Sequence, residues 1–96
     1  VKADKGITFE RLIHLSKKKG LQVKFAPLQC NYGRIKRDRL AIANDIGIDK
    51  INYTLAHEIA HAYLHYDKGD ILGQETFEQQ ADRAAEMLLD LCEMEI

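Results

Sequence analysis

The sequence predicts a single α+β domain, with about three short strands in an antiparallel or mixed sheet packed against three helices. Three observations lead there. At 96 residues the chain can bury one hydrophobic core and not two. A composition that is 46% hydrophobic and 30% charged belongs to a folded globular chain rather than a disordered or fibrous one. The apolar residues repeat with helical period in three segments and with strand period between the first two. The domain is expected over residues 8–92, with 1–7 and 93–96 as terminal extensions.

Taken in order, Phe9, Leu12, Ile13 and Ser16 recur at helical spacing, so a first helix is expected from Thr8, its cap, to Lys19, with Gly20 just past its end. Leu21, Val23 and Phe25 then alternate with Gln22 and Lys24, the period of a half-buried strand, and Pro27 stops it. Tyr32 to Lys36 and Arg39 to Ala43 read as two more strands around a tight turn at Arg37 and Asp38. Asp49 is placed to cap a second helix from Lys50 to Tyr66, with Gly69 beyond it. After a loop over Asp67 to Gly73, a third helix is expected from Glu75 to Cys92, buried along Phe77, Ala81, Ala84, Leu88 and Leu91.

The net charge of −1 hides a polarity. Residues 1–40 carry eleven Lys or Arg against three acids, a balance of +8, and residues 41–96 carry three against twelve, a balance of −9. No aromatic residues interleave with the basic ones as a base-stacking surface requires, so the two halves are read as attracting each other and direct nucleic-acid binding is not expected. No apolar run reaches the roughly 20 residues of a membrane span, and the opening VKADKGITFE lacks the order of a signal peptide. Cys30 and Cys92 have no metal or redox spacing, which suits a reducing compartment. A cytoplasmic setting without membrane attachment is the expectation.

The chemistry lies in TLAHEIAHAY, residues 54–63, where His57 and His61 stand four apart with Glu58 directly after the first. An i, i+4 pair stacks two imidazoles on one face of a helix, close enough to share one ion at about 2.0–2.1 Å from each nitrogen. Glu58, turned about 100° around the axis, suits a general base acting on a water at the ion. On a helical projection Leu55, Ile59, Ala62 and Tyr66 fall on one side, and Thr54, His57, His61 and His65 on the other. The spacing favours a metal site; the alternative is a surface helix whose two histidines face solvent or cap neighbouring carbonyls.

A catalytic zinc takes three protein ligands and leaves a fourth position for water. His65 continues the row, but the three histidines would spread over about 12 Å of helix axis, too far for one ion; it is read as lying outside the ligand set. His14 has no partner in sequence and is read as structural. FEQQADRAA offers the better third ligand. Glu78 and Asp82 are one turn apart, and Ala81, Ala84 and Ala85 beside them would let the third helix pack closely on Ala56 and Ala60 of the second. Glu78 would then reach the ion, and Asp82 would accept a hydrogen bond from the non-ligating nitrogen of a zinc histidine. Glu75 competes with Glu78 but lies nearer the helix start and off the alanine face.

NYTLAHEIAHAYLHYDKGD followed by EQQADRAAEMLL resembles the ImmA/IrrE-type metallopeptidases, whose pattern is a Thr-x-Ala-His-Glu-x-x-His helix and then a Glu-x-x-Ala-(Asn/Asp)-x-x-Ala helix. The likeness covers most of residues 8–91, with the two motif helices as its specific part. It implies a zincin-like fold with HExxH on the second helix, one zinc ion held by His57, His61 and Glu78, and Glu58 as the catalytic carboxylate. It also implies a substrate class, the helix-turn-helix repressors of mobile elements or stress responses, with the protein acting as an antirepressor. The chain departs from the family's Leu-Leu-Met-Pro ending, since Asp90 and Leu91 follow Leu88 and Leu89. The expected reaction is peptide hydrolysis, with Glu58 taking a proton from the water that zinc activates. His65 is the expected donor to the oxyanion, and the strand from Arg39 to Ala43 is expected to hold the substrate backbone at a sheet edge. Two rival readings are a non-catalytic module that sequesters a regulator and a nucleic-acid-binding domain using the basic half.

Overall fold

The computed structural model describes residues 4–28, 32–64 and 75–94. Its elements follow as α1 (Lys5–Lys18), β1 (Gln22–Ala26), β2 (Gly33–Lys36), β3 (Arg39–Ala43), α2 (Ile48–Leu64) and α3 (Glu75–Glu93). This is the α+β set of three helices and three strands that periodicity predicts.

α1 begins at Lys5 rather than at Thr8. Asp4 is the N-cap, its carboxylate accepting from the backbone N–H of Ile7 at 2.8 Å, which satisfies one of the orphan donors of the first turn. Thr8 is buried inside the helix instead. At the other end Gly20 takes a φ of 86°, and the N–H of Leu21 bonds the carbonyl of Ser16, so the chain turns into β1 through a left-handed residue. Arg11 ties the end of α3 to α1, donating from Nη1 to the carbonyls of Cys92 at 2.8 Å and Met94 at 2.6 Å.

The sheet is mixed, with strand order β1-β3-β2. β1 runs parallel to β3 (Gln22 opposite Arg39, Ala26 opposite Ala43), and β2 runs antiparallel to it (Gly33 opposite Ile42, Lys36 opposite Arg39). The β2–β3 hairpin closes through Arg37 and Asp38, with Arg37 at a φ of 57°. Alternation in a sequence says which face a residue takes but not the direction of the neighbouring strand, so the parallel pair was not legible. The topology corrects one expectation outright. Arg39–Ala43 is the central strand, paired on both sides, and has no edge to offer a substrate; among the described residues the edges belong to β1 and β2.

The core sits on one face of this sheet. Leu40 and Ile42 of β3 are 1% and 0% exposed, and they meet Leu12 of α1 with Leu55 and Ile59 of α2. α3 closes the other side of α2 through small residues: Ala56, Ala60, Ala81 and Ala85 are all buried. The expected buried row on α3 is corrected at its end, where Leu91 is exposed and Ala85 and Cys92 are buried. Ala81, Ala85 and Cys92 are the buried positions of α3, and Leu91 falls outside that row. α2 starts at Ile48, so Asp49 lies in the first turn and pairs with Lys5 at 2.7 Å rather than capping.

β2 approaches α2 so closely that a Cβ on Gly33 would collide with Cγ2 of Thr54 and sit 3.3 Å from Cγ of Glu58. Thr54 is buried and β-branched, so it has little room to move. Gly33→Ala is therefore expected to cost about 1–3 kcal/mol of stability, read from urea unfolding. Adding Thr54→Ser, which removes the obstructing methyl, should recover most of the loss; an unrescued double variant would place the strain elsewhere.

Candidate metal centre

Along its middle, α2 buries polar residues together with its apolar ones. Thr54, Glu58 and His61 are 7%, 7% and 3% exposed. The reason is that α3 and β2 both pack against α2, so the side bearing the histidines lies at the bottom of a cleft between them.

Close alanine packing brings Glu78 of α3 over His57 and His61. Nε2 of His57 lies 3.0 Å from Oε2 of Glu78, Nε2 of His61 lies 2.9 Å from Oε1 of the same carboxylate, and the two Nε2 atoms are 3.0 Å apart. One donor atom from each of the three residues fits within 4.8 Å of the others. Protons alone cannot satisfy this triangle. Each Nε2 has one in-plane site, a hydrogen or a lone pair, yet here each meets two neighbours, so hydrogen bonds leave at least one of the three contacts unmatched. A cation at the meeting point satisfies all three lone pairs at once. The donor set, two imidazoles and one carboxylate, is that of a catalytic zinc with an open position, and the residues present fit such an ion.

Asp82, one turn along α3, sets Oδ1 2.9 Å from Nδ1 of His57. The approach is close but out of hydrogen-bond alignment, and Nδ1 is a buried atom without a hydrogen-bond partner. With Nε2 committed to a cation, Nδ1 must carry the ring hydrogen, and Asp82 is the acceptor within reach. Tyr53, one turn before His57, donates its hydroxyl to the same Oδ1 at 2.8 Å. Burial and then this hydrogen bond to Asp82 push the Tyr53 hydroxyl up to about 12, so it stays a donor at any ordinary pH. The pair extends the order of the site from His57 through Asp82 to Tyr53. Tyr53→Phe should weaken zinc binding about fivefold in a chromophoric-chelator competition, less than the 10–100-fold expected for loss of Asp82 itself. Equal affinity in Tyr53→Phe and parent would leave the hydroxyl without an orienting role.

Glu58 faces β2, and burial followed by the nearby Glu78 charge raises its carboxyl from 4.5 to about 8. A divalent cation beside it opposes that rise by favouring the ionised form. Above these groups lies an open cleft of about 200 Å³, walled by Gly33, Arg34 and Ile35 of β2 on one side and by Tyr53, Glu78 and Asp82 on the other.

The described residues thus bring together His57, His61, Glu78, Glu58 and Asp82. Glu75 is exposed at the start of α3, outside the cluster, and His14 is exposed on α1. His65 lies outside the described residues, as do Cys30 and the end expected for the second helix at Tyr66. Sequence reasoning passed over Tyr53 and Gly33. Tyr53 was within reach of the spacing argument, since it stands four residues before His57 on the same helical row. Gly33 carried no local signal, because its demand comes from a helix some twenty residues away in sequence.

No curated protein and no solved structure matches the chain. A family model does, over residues 16–95, a span that holds the sheet and the whole of α2 and α3. The cluster of two histidines and a glutamate on those helices therefore sits within the matched region, and the chain belongs to the Peptidase M78 family, the IrrE N-terminal-like domain, a family of metallopeptidases.

Proposed function

We propose that the protein is a zinc-dependent endopeptidase that cuts a helix-turn-helix transcriptional repressor in the cytoplasm, acting as an antirepressor of a mobile element or stress response. The observation that carries the reading is the convergence of Nε2 of His57, Nε2 of His61 and the Glu78 carboxylate with buried Glu58 next in the chain. Two imidazoles and a carboxylate also serve ferrous iron in oxygenases. A buried carboxyl group next in the chain to a donor, facing the cleft, favours hydrolysis, because it can take a proton from water and return it.

When bound, zinc supplies a Lewis acid that polarises the peptide carbonyl and acidifies a water. Glu58 takes a proton from the attacking water as its oxygen bonds to the carbonyl carbon. It then gives that proton to the nitrogen as the C–N bond breaks, so the products are one carboxylic acid and one amine. Asp82, steadied by Tyr53, keeps the His57 ring turned toward the site.

The substrate backbone has a place to pair on β2, the edge strand that walls the cleft. The N–H of Ala43 bonds the carbonyl of Tyr32, and antiparallel ladders alternate. Gly33 and Ile35 therefore turn their N–H and C=O groups away from β3, toward the edge that carries no further strand among the described residues. Among the described residues no helix is long and apolar enough to cross a membrane. The test is cleavage of a cognate helix-turn-helix repressor by the zinc-loaded protein. Fragments that vanish with a chelator and return with zinc support the reading; intact repressor under both conditions, with binding retained, favours sequestration instead.

A further inference from the structure

The cleft continues from the metal ligands toward the start of α2, and two tyrosines line it there. Tyr53 of α2 and Tyr32, the residue before β2, are 39% and 53% exposed. Both are held by their hydroxyls. Tyr53 donates to Oδ1 of Asp82 at 2.8 Å, and the Tyr32 oxygen accepts from Nζ of Lys50 at 3.4 Å, with the same ammonium 4.8 Å from the ring centroid. The rings are thus fixed at their polar ends, and what they offer the cleft is aromatic carbon.

Position along α2 sets the distance from the reacting bond. Tyr53 stands one turn before His57, about 6 Å along the helix axis, and Lys50, which holds Tyr32, stands about 10 Å before it. An extended peptide advances about 3.3 Å per residue. A substrate whose scissile bond lies over His57 and His61 therefore carries its second or third residue from the cut past the two rings. Covering a ring that is already fixed costs little side-chain entropy, while the burial and the aromatic contact are both gained. Charge narrows the choice further. Lys50 already places an ammonium against the Tyr32 ring, which disfavours a cationic side chain there. Glu78 and Asp82 line the cleft with Tyr53 and disfavour an acidic one.

We propose that Tyr32 and Tyr53 form a subsite for one large uncharged side chain of the substrate, aromatic or long aliphatic, at a position two or three residues from the bond that is cut. Tyr32 is the residue that sets this preference, since Tyr53 also serves Asp82 and the metal ligand behind it. The inference rests on the peptidase reading and adds the kind of segment the cleft accepts.

The experiment is cleavage of a randomised peptide library by the zinc-loaded protein and by its Tyr32→Ala and Tyr32→Phe variants, with cut positions read by mass spectrometry. The parent should enrich Phe, Tyr, Leu and Met over Gly, Ala and Ser at one position two or three residues from the cut, on the order of three- to tenfold. Tyr32→Ala should flatten that position and leave preferences elsewhere in the peptide as they are. Tyr32→Phe, which keeps the ring, should keep the preference. A parent without preference at these positions, or with Lys, Arg, Asp or Glu enriched there, overturns the proposal and leaves the peptidase reading standing. The same holds if Tyr32→Ala retains the parental pattern, or if it loses cleavage of all members alike, which would give the ring a task other than selection. No cleavage of any library member also overturns the proposal, and it takes the peptidase reading with it when a cognate repressor stays intact as well.

Discussion

Glu58→Gln is expected to keep one zinc per chain and to lose cleavage by a factor on the order of 10²–10⁴, the usual worth of a positioned general acid–base group. Metal retention follows from the geometry, because the three donor atoms come from His57, His61 and Glu78. Turnover goes because an amide can neither take the proton from water nor return it to the leaving nitrogen. The same variant has a second signature in the metal-free protein. Glu58 is raised from 4.5 to about 8 in the fold, so the folded chain holds its proton more tightly than the unfolded chain does. Below about 4.5 both states are protonated and the burial costs little. As pH rises from there toward 8, the unfolded state ionises first and the fold loses stability. Glu58→Gln should match the parent at pH 4 and exceed it at pH 8 by on the order of 4 kcal/mol. Zinc-loaded cleavage assays and metal-free urea melts at the two pH values check both halves. A variant that cuts at the parental rate removes Glu58 from the chemistry.

His61→Ala is expected to abolish stable zinc binding, with a loss of affinity beyond the 10–100-fold typical of outer partners. The imidazole supplies one of only three protein donors, and nothing else among the described residues stands ready to replace it. It is also 3% exposed, so its removal leaves a void and an unbalanced Glu78 carboxylate, costing the metal-free fold about 1–3 kcal/mol. Glu78→Gln separates the two effects. Its side chain is 35% exposed, so the fold should survive nearly unchanged while zinc binding still falls. Chelator competition and urea melts on the two variants give the contrast; parental zinc affinity in either would take that residue out of the coordination sphere.

Much of this centre was legible before any coordinates. The spacing of His57 and His61 dictated a shared face, and the alanines of FEQQADRAA predicted a helix pair close enough for Glu78 to reach that face. What stayed hidden was three-dimensional. The strand from Arg39 to Ala43 reads like its neighbours in period, yet its pairing on both sides puts it in the middle of the sheet, and only the register assigns the free edge to β2. The histidine side of α2 reads as the polar side of an amphipathic helix. It is buried because β2 and α3 clamp it, and a single helix's pattern contains no record of its second neighbour. Gly33 belongs to the same class, since its missing side chain answers to Thr54 and Glu58 across a gap between elements. Helix ends moved for local reasons: Asp4 outcompetes Thr8 as a cap because its carboxylate reaches the Ile7 N–H.

The most direct test is X-ray absorption at the zinc edge of protein loaded with one equivalent of metal, for the parent and for Glu78→Gln. A shell of nitrogen and oxygen alone at about 2.0–2.1 Å, with the scattering of two imidazoles and a change in the oxygen part on Glu78→Gln, is the predicted result. Sulfur at about 2.3 Å, or a shell identical in the two proteins, would contradict a centre built from His57, His61 and Glu78.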